Sequence, residues 1–247
     1  MIEGDWACEL EWHLQQRFAE LCQTIGQPVP VRGLRINPPL GAEESRYFLL
    51  GSEAGLFLVD QEGYVQSELF PPPSVGNSKQ KMCQIFWHNP SPHLFREGIC
   101  QLATVSYLIL KRGWQKRQIV MEPSVKEHHS FAGGVDILVK SPTGRILVCA
   151  EVKRSIAELQ KLVADFQACC KRGPHASTEC AFEQNHPNYE FCAAYKPIYF
   201  WAVAPEADVC FRMSYNEKSI DVAELDSLPQ RSVIEAIDCR DRPGAEN

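Results

Sequence analysis

Residues 135–153 read VDILVKSPTGRILVCAEVK, two apolar runs separated by the turn sequence PTG. The second run is apolar at every position from Ile146 to Ala150. As a strand it sends apolar side chains to both faces of a sheet, and both faces then need cover, the condition of a central strand in an α/β protein. Charge is costly in such a place, yet Asp136 stands in the first run, and Glu151 and Lys153 close the second. Glu151 and Lys153 are two residues apart, so their side chains leave the same face while Val152 points the other way. The PTG turn predicts a hairpin that brings Asp136 beside Glu151 at one end of the sheet. Two carboxylates and an amine on one face suit a divalent metal held by hard oxygens. The lysine would stand near an attacking water, and the metal would neutralise charge developing on a phosphate.

The flanking patterns supply the other layers. In residues 5–25, Trp6, Leu10, Leu14, Phe18, Leu21 and Ile25 recur at helical spacing, and Gly26 and Pro28 end the run. RYFLLG and GLFLVD predict strands, QEGYVQSEL continues a hairpin-rich section, and FPPPSVGNSKQK is the clearest linker. LFREGICQLATVSYLILKRGW predicts a helix terminated by Gly113, and QIVMEP predicts a strand before the hairpin. Residues 155–172 predict an amphipathic helix with Ile156, Leu159, Val163, Phe166 and Cys170 inward, Ser155 as N-cap and Glu158 at the capping-box position. After an irregular stretch, PIYFWAVAP and VCFRMSY predict further strands. Helix, three strands, helix and strand, in that order, imply a right-handed crossover in a mixed α/β sheet.

Asp136 followed by Glu151-Val152-Lys153, in this order of elements, resembles the PD-(D/E)xK nuclease superfamily. Glu97 lies on the helix before the sheet, where many members keep an acidic residue, and Gln167 lies fourteen residues after Lys153 on the next helix. The pattern is most similar to the nuclease domains of type I restriction enzymes, whose strand reads like EVKR and is followed by a helical glutamine. It departs in having Val135 before the aspartate, where proline is common, and Lys171 where that subgroup has an aromatic residue.

The resemblance covers residues 93–215 and implies a restriction-endonuclease-like mixed central sheet flanked by helices. Residues 1–92 would form an N-terminal α+β accessory lobe and residues 216–247 an acidic C-terminal extension. It implies Mg²⁺- or Mn²⁺-dependent hydrolysis of phosphodiester bonds in DNA, as an endonuclease of restriction, phage defence or repair. Asp136, Glu151 and the Val152 carbonyl would hold the metal, with Glu97 reaching it through water. Lys153 would serve the attacking water, and Gln167 would position the lysine or a phosphate. Glu122, at the end of the first strand, is an alternative carboxylate. A module of the same fold that only binds nucleic acid or a partner protein is the rival expectation.

The net charge of −6 hides a division along the chain: residues 93–215 carry 15 basic and 12 acidic side chains, and the acidic excess lies on either side. The local field, more than the total, decides whether a polyanion binds. In KRGWQKR, Lys111, Arg112, Lys116 and Arg117 surround Trp114, a set suited to phosphate contact and base stacking. Arg154, Lys171 and Arg172 are further candidate DNA contacts. A homodimer or a larger defence or repair complex is the expected setting.

Eleven cysteines are an odd number in a chain too long to need disulfides for a core, so they predict buried thiols in a reducing compartment. Cys169, Cys170, His175, Cys180, His186 and Cys192 invite a zinc reading, but no CxxC pair is present. His128 and His129 predict exposed loop residues, with a role near the scissile phosphate as the alternative. With no apolar run long enough to span a membrane and no signal-peptide pattern at the start, the expected location is the cytosol.

Overall fold

The computed structural model describes residues 5–70, 84–87, 91–122 and 135–240, and the chain divides into two compact units, Met1–Lys111 and Arg112–Asn247. His128, His129 and all of the expected linker except Phe70 lie outside the described residues.

The first unit holds α1 (Trp6–Thr24), α2 (Ala42–Glu53) and α3 (Arg96–Leu110), with two small antiparallel ribbons. These are β1 (Leu58–Val59) with β2 (Val65–Gln66), and β3 (Phe86–Trp87) with β4 (His93–Leu94). In α1 the Asp5 carboxylate caps the helix by accepting from the Cys8 N–H, and Leu10, Leu14, Phe18 and Leu21 are buried as the spacing predicts. RYFLLG, expected as a strand, lies within α2. Its β-prone composition is overruled by what the helical period places together: Glu44, Tyr47, Phe48 and Gly51 are all buried. A Cβ at Gly51 would sit 1.9 Å from Ser106 Oγ, so α2 and α3 approach at a point only glycine allows.

The two helices are also joined by charge. Arg96, 3% exposed, forms a two-pronged ion pair with Glu44 and donates to the Pro38 and Pro39 carbonyls, each at 3.1 Å. A buried guanidinium is tolerable only with its donors satisfied in this way.

The second unit is built on one six-stranded sheet. Its strands are β5 (Ile119–Met121), β6 (Ile137–Lys140), β7 (Ile146–Val152), β8 (Tyr199–Ala204), β9 (Ala207–Tyr215) and β10 (Ile220–Leu225), adjacent in chain order. Every neighbouring pair is antiparallel except β7 with β8. That parallel pair needs a crossover, supplied by α4 (Ile156–Arg172) and α5 (His186–Tyr195). Ser155 caps α4 by accepting from the Glu158 N–H. The Phe166 ring of α4 stacks on Phe200 of β8 with centroids 3.9 Å apart, in a cluster with Leu138, Cys149, Leu162 and Phe211.

Three sequence expectations change here. Ile156, expected inward, is 49% exposed as the first residue of α4. The stretch expected to be irregular contains α5. Residues 216–247, expected as an acidic extension, supply the edge strand β10 and the helix α6 (Arg231–Arg240). In β10, Asp221 and Glu224 obscure the strand pattern because an edge strand exposes much of its surface. No helix among the described residues is long and apolar enough to cross a membrane.

Replacing Arg96 by alanine leaves the Glu44 carboxylate buried without its cation, and we expect a loss of about 3 to 5 kcal/mol in urea denaturation. A loss below about 1 kcal/mol would mean that the pair contributes no more than a surface ion pair does.

Candidate active site and a Cys/His cluster

Where β5, β6 and β7 end, the chain continues the ladder with three bonds centred on Asp136. The Glu122 N–H donates to the Asp136 carbonyl at 2.8 Å, and the Asp136 N–H donates to the Ala150 carbonyl at 3.0 Å. The Asp136 carboxylate in turn accepts from the Val152 N–H at 2.6 Å through Oδ2. One strand end is thus fixed through main chain and side chain together.

Glu151, only 7% exposed, and Lys153 lie at the end of β7, and the lysine ammonium is 2.6 Å from Glu151 Oε1. The Lys153 N–H donates to Val203 across the parallel pair, so the adjoining Val152 amide faces the opposite edge, towards Asp136. Successive peptide groups alternate along a strand, which sends the Val152 carbonyl to that same edge. Asp136, Glu151 and the Val152 carbonyl are therefore hard oxygen donors at one sheet end, with Lys153 beside them.

The electrostatics of the group are unfavourable to its own charge. Burial pushes the Asp136 carboxyl well above the usual carboxylate range, and the Glu151 and Glu122 carboxylates push it further. Lys153 and the Val152 N–H act in the opposite sense. Glu122 itself has a left-handed backbone, φ 44°, a conformation that costs a residue other than glycine roughly 1 to 2 kcal/mol.

The other expected residues are placed as follows. Gln167 is half-buried on α4, next in sequence to Phe166, whose ring stacks on Phe200, the partner of Cys149 two residues before Glu151. Glu97 is in the first turn of α3, and it and Lys111 belong to the first unit, whereas the acidic group is built wholly from the second. Arg154 directly follows Lys153 and pairs with Glu158 at 2.7 Å. Lys116 and Arg117 precede β5, at the end of that strand away from Glu122. Lys171 and Arg172 are exposed in the last turn of α4, roughly 24 Å along the helix from its start. Trp114 is only 2% exposed, with the Arg231 guanidinium 5.7 Å from its ring centre, so its face is closed to a stacking base. An indole in a basic cluster reads as a stacking platform, and only α6, unexpected from the sequence, shows it to be core.

Of the six Cys and His residues singled out, four converge. The ligating atoms of Cys169, His175, Cys180 and His186 lie within 4.8 Å of one another. Cys192 instead sits with Cys149, sulfur to sulfur 3.6 Å. The missed signal was the alternation C-x₅-H-x₄-C-x₅-H, which a search for CxxC pairs passes over.

A carboxyl whose folded pKa exceeds its unfolded value binds more protons when folded. Its stabilisation is complete below the ordinary value of 3.8 and is lost as pH rises through the raised folded pKa. We therefore expect Asp136→Asn, in buffer free of divalent cations, to be more stable than the parent near neutral pH and to flatten that decline. Urea midpoints measured across pH for both proteins test this, and a variant less stable than the parent would show that the charges are not in conflict. Compared with protein-family models, curated proteins and solved structures, the chain matches none of them.

Proposed function

We propose that the chain is a divalent-metal-dependent nuclease with a restriction-endonuclease-like core, acting on DNA. The observation that carries this is the convergence of Asp136, Glu151, the Val152 carbonyl edge and Lys153 at one sheet end. The strand order β5-β6-β7-β8, with β7–β8 its one parallel pair and α4 in the crossover, supports the fold assignment.

The residues fit a hard divalent cation. Carboxylate and carbonyl oxygens are the donors Mg²⁺ and Mn²⁺ prefer, and the carboxylates around Asp136 oppose its ionisation unless a cation joins them. A bound Mg²⁺ or Mn²⁺ would supply charge neutralisation at the scissile phosphate and acidify a bound water. Asp136 would offer Oδ1, since Oδ2 is engaged by the Val152 N–H, and that bond fixes the carboxylate plane. Lys153, now on Glu151, would orient the attacking water and offset charge on the phosphate oxygens. Arg154, one residue further and exposed, would contact the backbone of the nucleic acid. Glu122 would tune Asp136 through its charge.

The direct test incubates the full chain with single-stranded, duplex and branched DNA and with RNA, with and without added Mg²⁺ or Mn²⁺. We expect cleavage of DNA that requires the cation, and Lys153→Ala to lower the rate by about 10²- to 10⁴-fold. Cleavage by Lys153→Ala at the parent rate would remove the lysine from the mechanism. Tight nucleic-acid binding without the cation, and no cleavage of any form, would make the chain a binding module instead.

A further inference from the structure

The connection from α4 to α5 buries few side chains. Lys171, Arg172, Pro174, Ala176, Ser177, Thr178, Glu179, Ala181, Glu183 and Gln184 are all exposed. Besides Cys170, Gly173 and Asn185, what this stretch buries is chemically specific: Cys180 and, at its two ends, Cys169 and His186, with His175 half-buried between them. Cys169 closes the last turn of α4, His186 opens α5, and the remaining two come from the loop.

We propose that Cys169, His175, Cys180 and His186 form a tetrahedral zinc site that fastens the end of α4 to the start of α5. Cys169 Sγ lies 3.5 Å from Cys180 Sγ and 3.9 Å from His186 Nδ1. Zn–S and Zn–N bonds of about 2.3 and 2.0 Å, arranged tetrahedrally, separate such pairs by roughly 3.5 to 3.8 Å. The sulfurs are too far apart for a disulfide, which needs about 2.05 Å.

Three of the four ligands also have an outer neighbour of the kind that orients a metal ligand. His175 Nδ1 is 2.6 Å from the Gly173 carbonyl, which fixes the tautomer and leaves Nε2 for the metal. That Nε2 is buried and has no hydrogen-bond partner, a costly state for a ring nitrogen unless something binds it. His186 reverses the roles: Nδ1 faces the sulfurs, and Nε2 lies 3.3 Å from Glu190 Oε1, in ion-pair range but without hydrogen-bond geometry. The Phe182 N–H donates to Cys180 Sγ at 3.4 Å, a contact that stabilises a thiolate.

Two thiolates and a Zn²⁺ ion sum to no net charge, which a largely buried site needs. Zinc binding displaces the thiol protons of its cysteine ligands, so the metal is released as the pH falls. Four protein ligands complete the tetrahedron with no open position, so the site is structural rather than catalytic. It is distinct from the oxygen-donor group at the strand ends, and nothing in it depends on nuclease activity.

The full chain, purified from zinc-supplemented culture without chelators, should carry one zinc ion per molecule by elemental analysis. Replacement by Co²⁺ should give the intense visible bands of a tetrahedral ion and a near-ultraviolet sulfur-to-cobalt band. Cys180→Ser should lose the metal, while Cys8→Ser and Cys239→Ser, at exposed cysteines, should keep it. Glu190→Gln, which leaves all four ligands in place, should weaken zinc binding by about 10- to 100-fold. A folded parent protein that holds no zinc and gives no tetrahedral cobalt spectrum would overturn the proposal, as would a Cys169–Cys180 disulfide. Zinc retained by Cys180→Ser would overturn the ligand set. Cleavage assays should omit Mg²⁺ rather than add EDTA, so that loss of this zinc is not read as loss of the catalytic ion.

Discussion

Complete burial of β7 is the constraint from which the second unit follows. All seven of its residues are buried, so it has neighbours on both edges and cover on both faces. On one edge the hairpin turn at Pro142-Thr143-Gly144 returns the chain antiparallel. On the other, pairing is parallel to β8, and a parallel partner forces the chain to travel back along the sheet before it pairs. The helices α4 and α5 make that journey, and their apolar sides close over Cys149, Phe200 and Phe211. The charges of Glu151 and Lys153 are tolerable because they come at the strand's end and meet each other there, 2.6 Å apart.

The same geometry explains why this end of the sheet is chemically distinctive. Asp136 is fixed by three bonds to Glu122, Ala150 and Val152, so its carboxylate cannot retreat from its neighbours. An ordinary surface cluster would relieve repulsion by rotating side chains into solvent. Here the cost is held in place, together with the left-handed backbone of Glu122. That held repulsion is what the proposed cation would relieve.

Legibility in the sequence followed how local each determinant was. The β6–β7 hairpin, the Ser155 cap, the amphipathic α4 and the Glu151–Lys153 pair were readable, because each rests on spacing within a few residues. RYFLLG misled because its helical form depends on Glu44 meeting Arg96 and on Gly51 meeting Ser106, partners more than fifty residues away. Trp114 misled for the same reason, since the helix that brings Arg231 over it lies at the far end of the described chain. The edge strand β10 was hidden by its own exposure, since only Ile220 of its six residues is buried and Asp221 and Glu224 interrupt the apolar run.

The Cys/His group shows the opposite relation between sequence and structure. Its residue types were visible, but their meaning depended on a turn. Gly173, with φ 82°, stands 2.2 Å, measured from an added Cβ, from the Lys218 carbonyl, so only glycine lets the chain leave α4 at that point. That exit sends His175 back towards Cys169 instead of onward, and the Asn185–Asp165 hydrogen bond at 2.7 Å returns the start of α5 to α4. Two local constraints thus bring together ligands from a helix end, a loop and a helix start. A fastened α4–α5 connection in turn fixes where β8 begins, and β8 is the strand that receives the Lys153 N–H. Through that bond and the parallel register of β7 with β8, the crossover ends against the strand on which the candidate site is built.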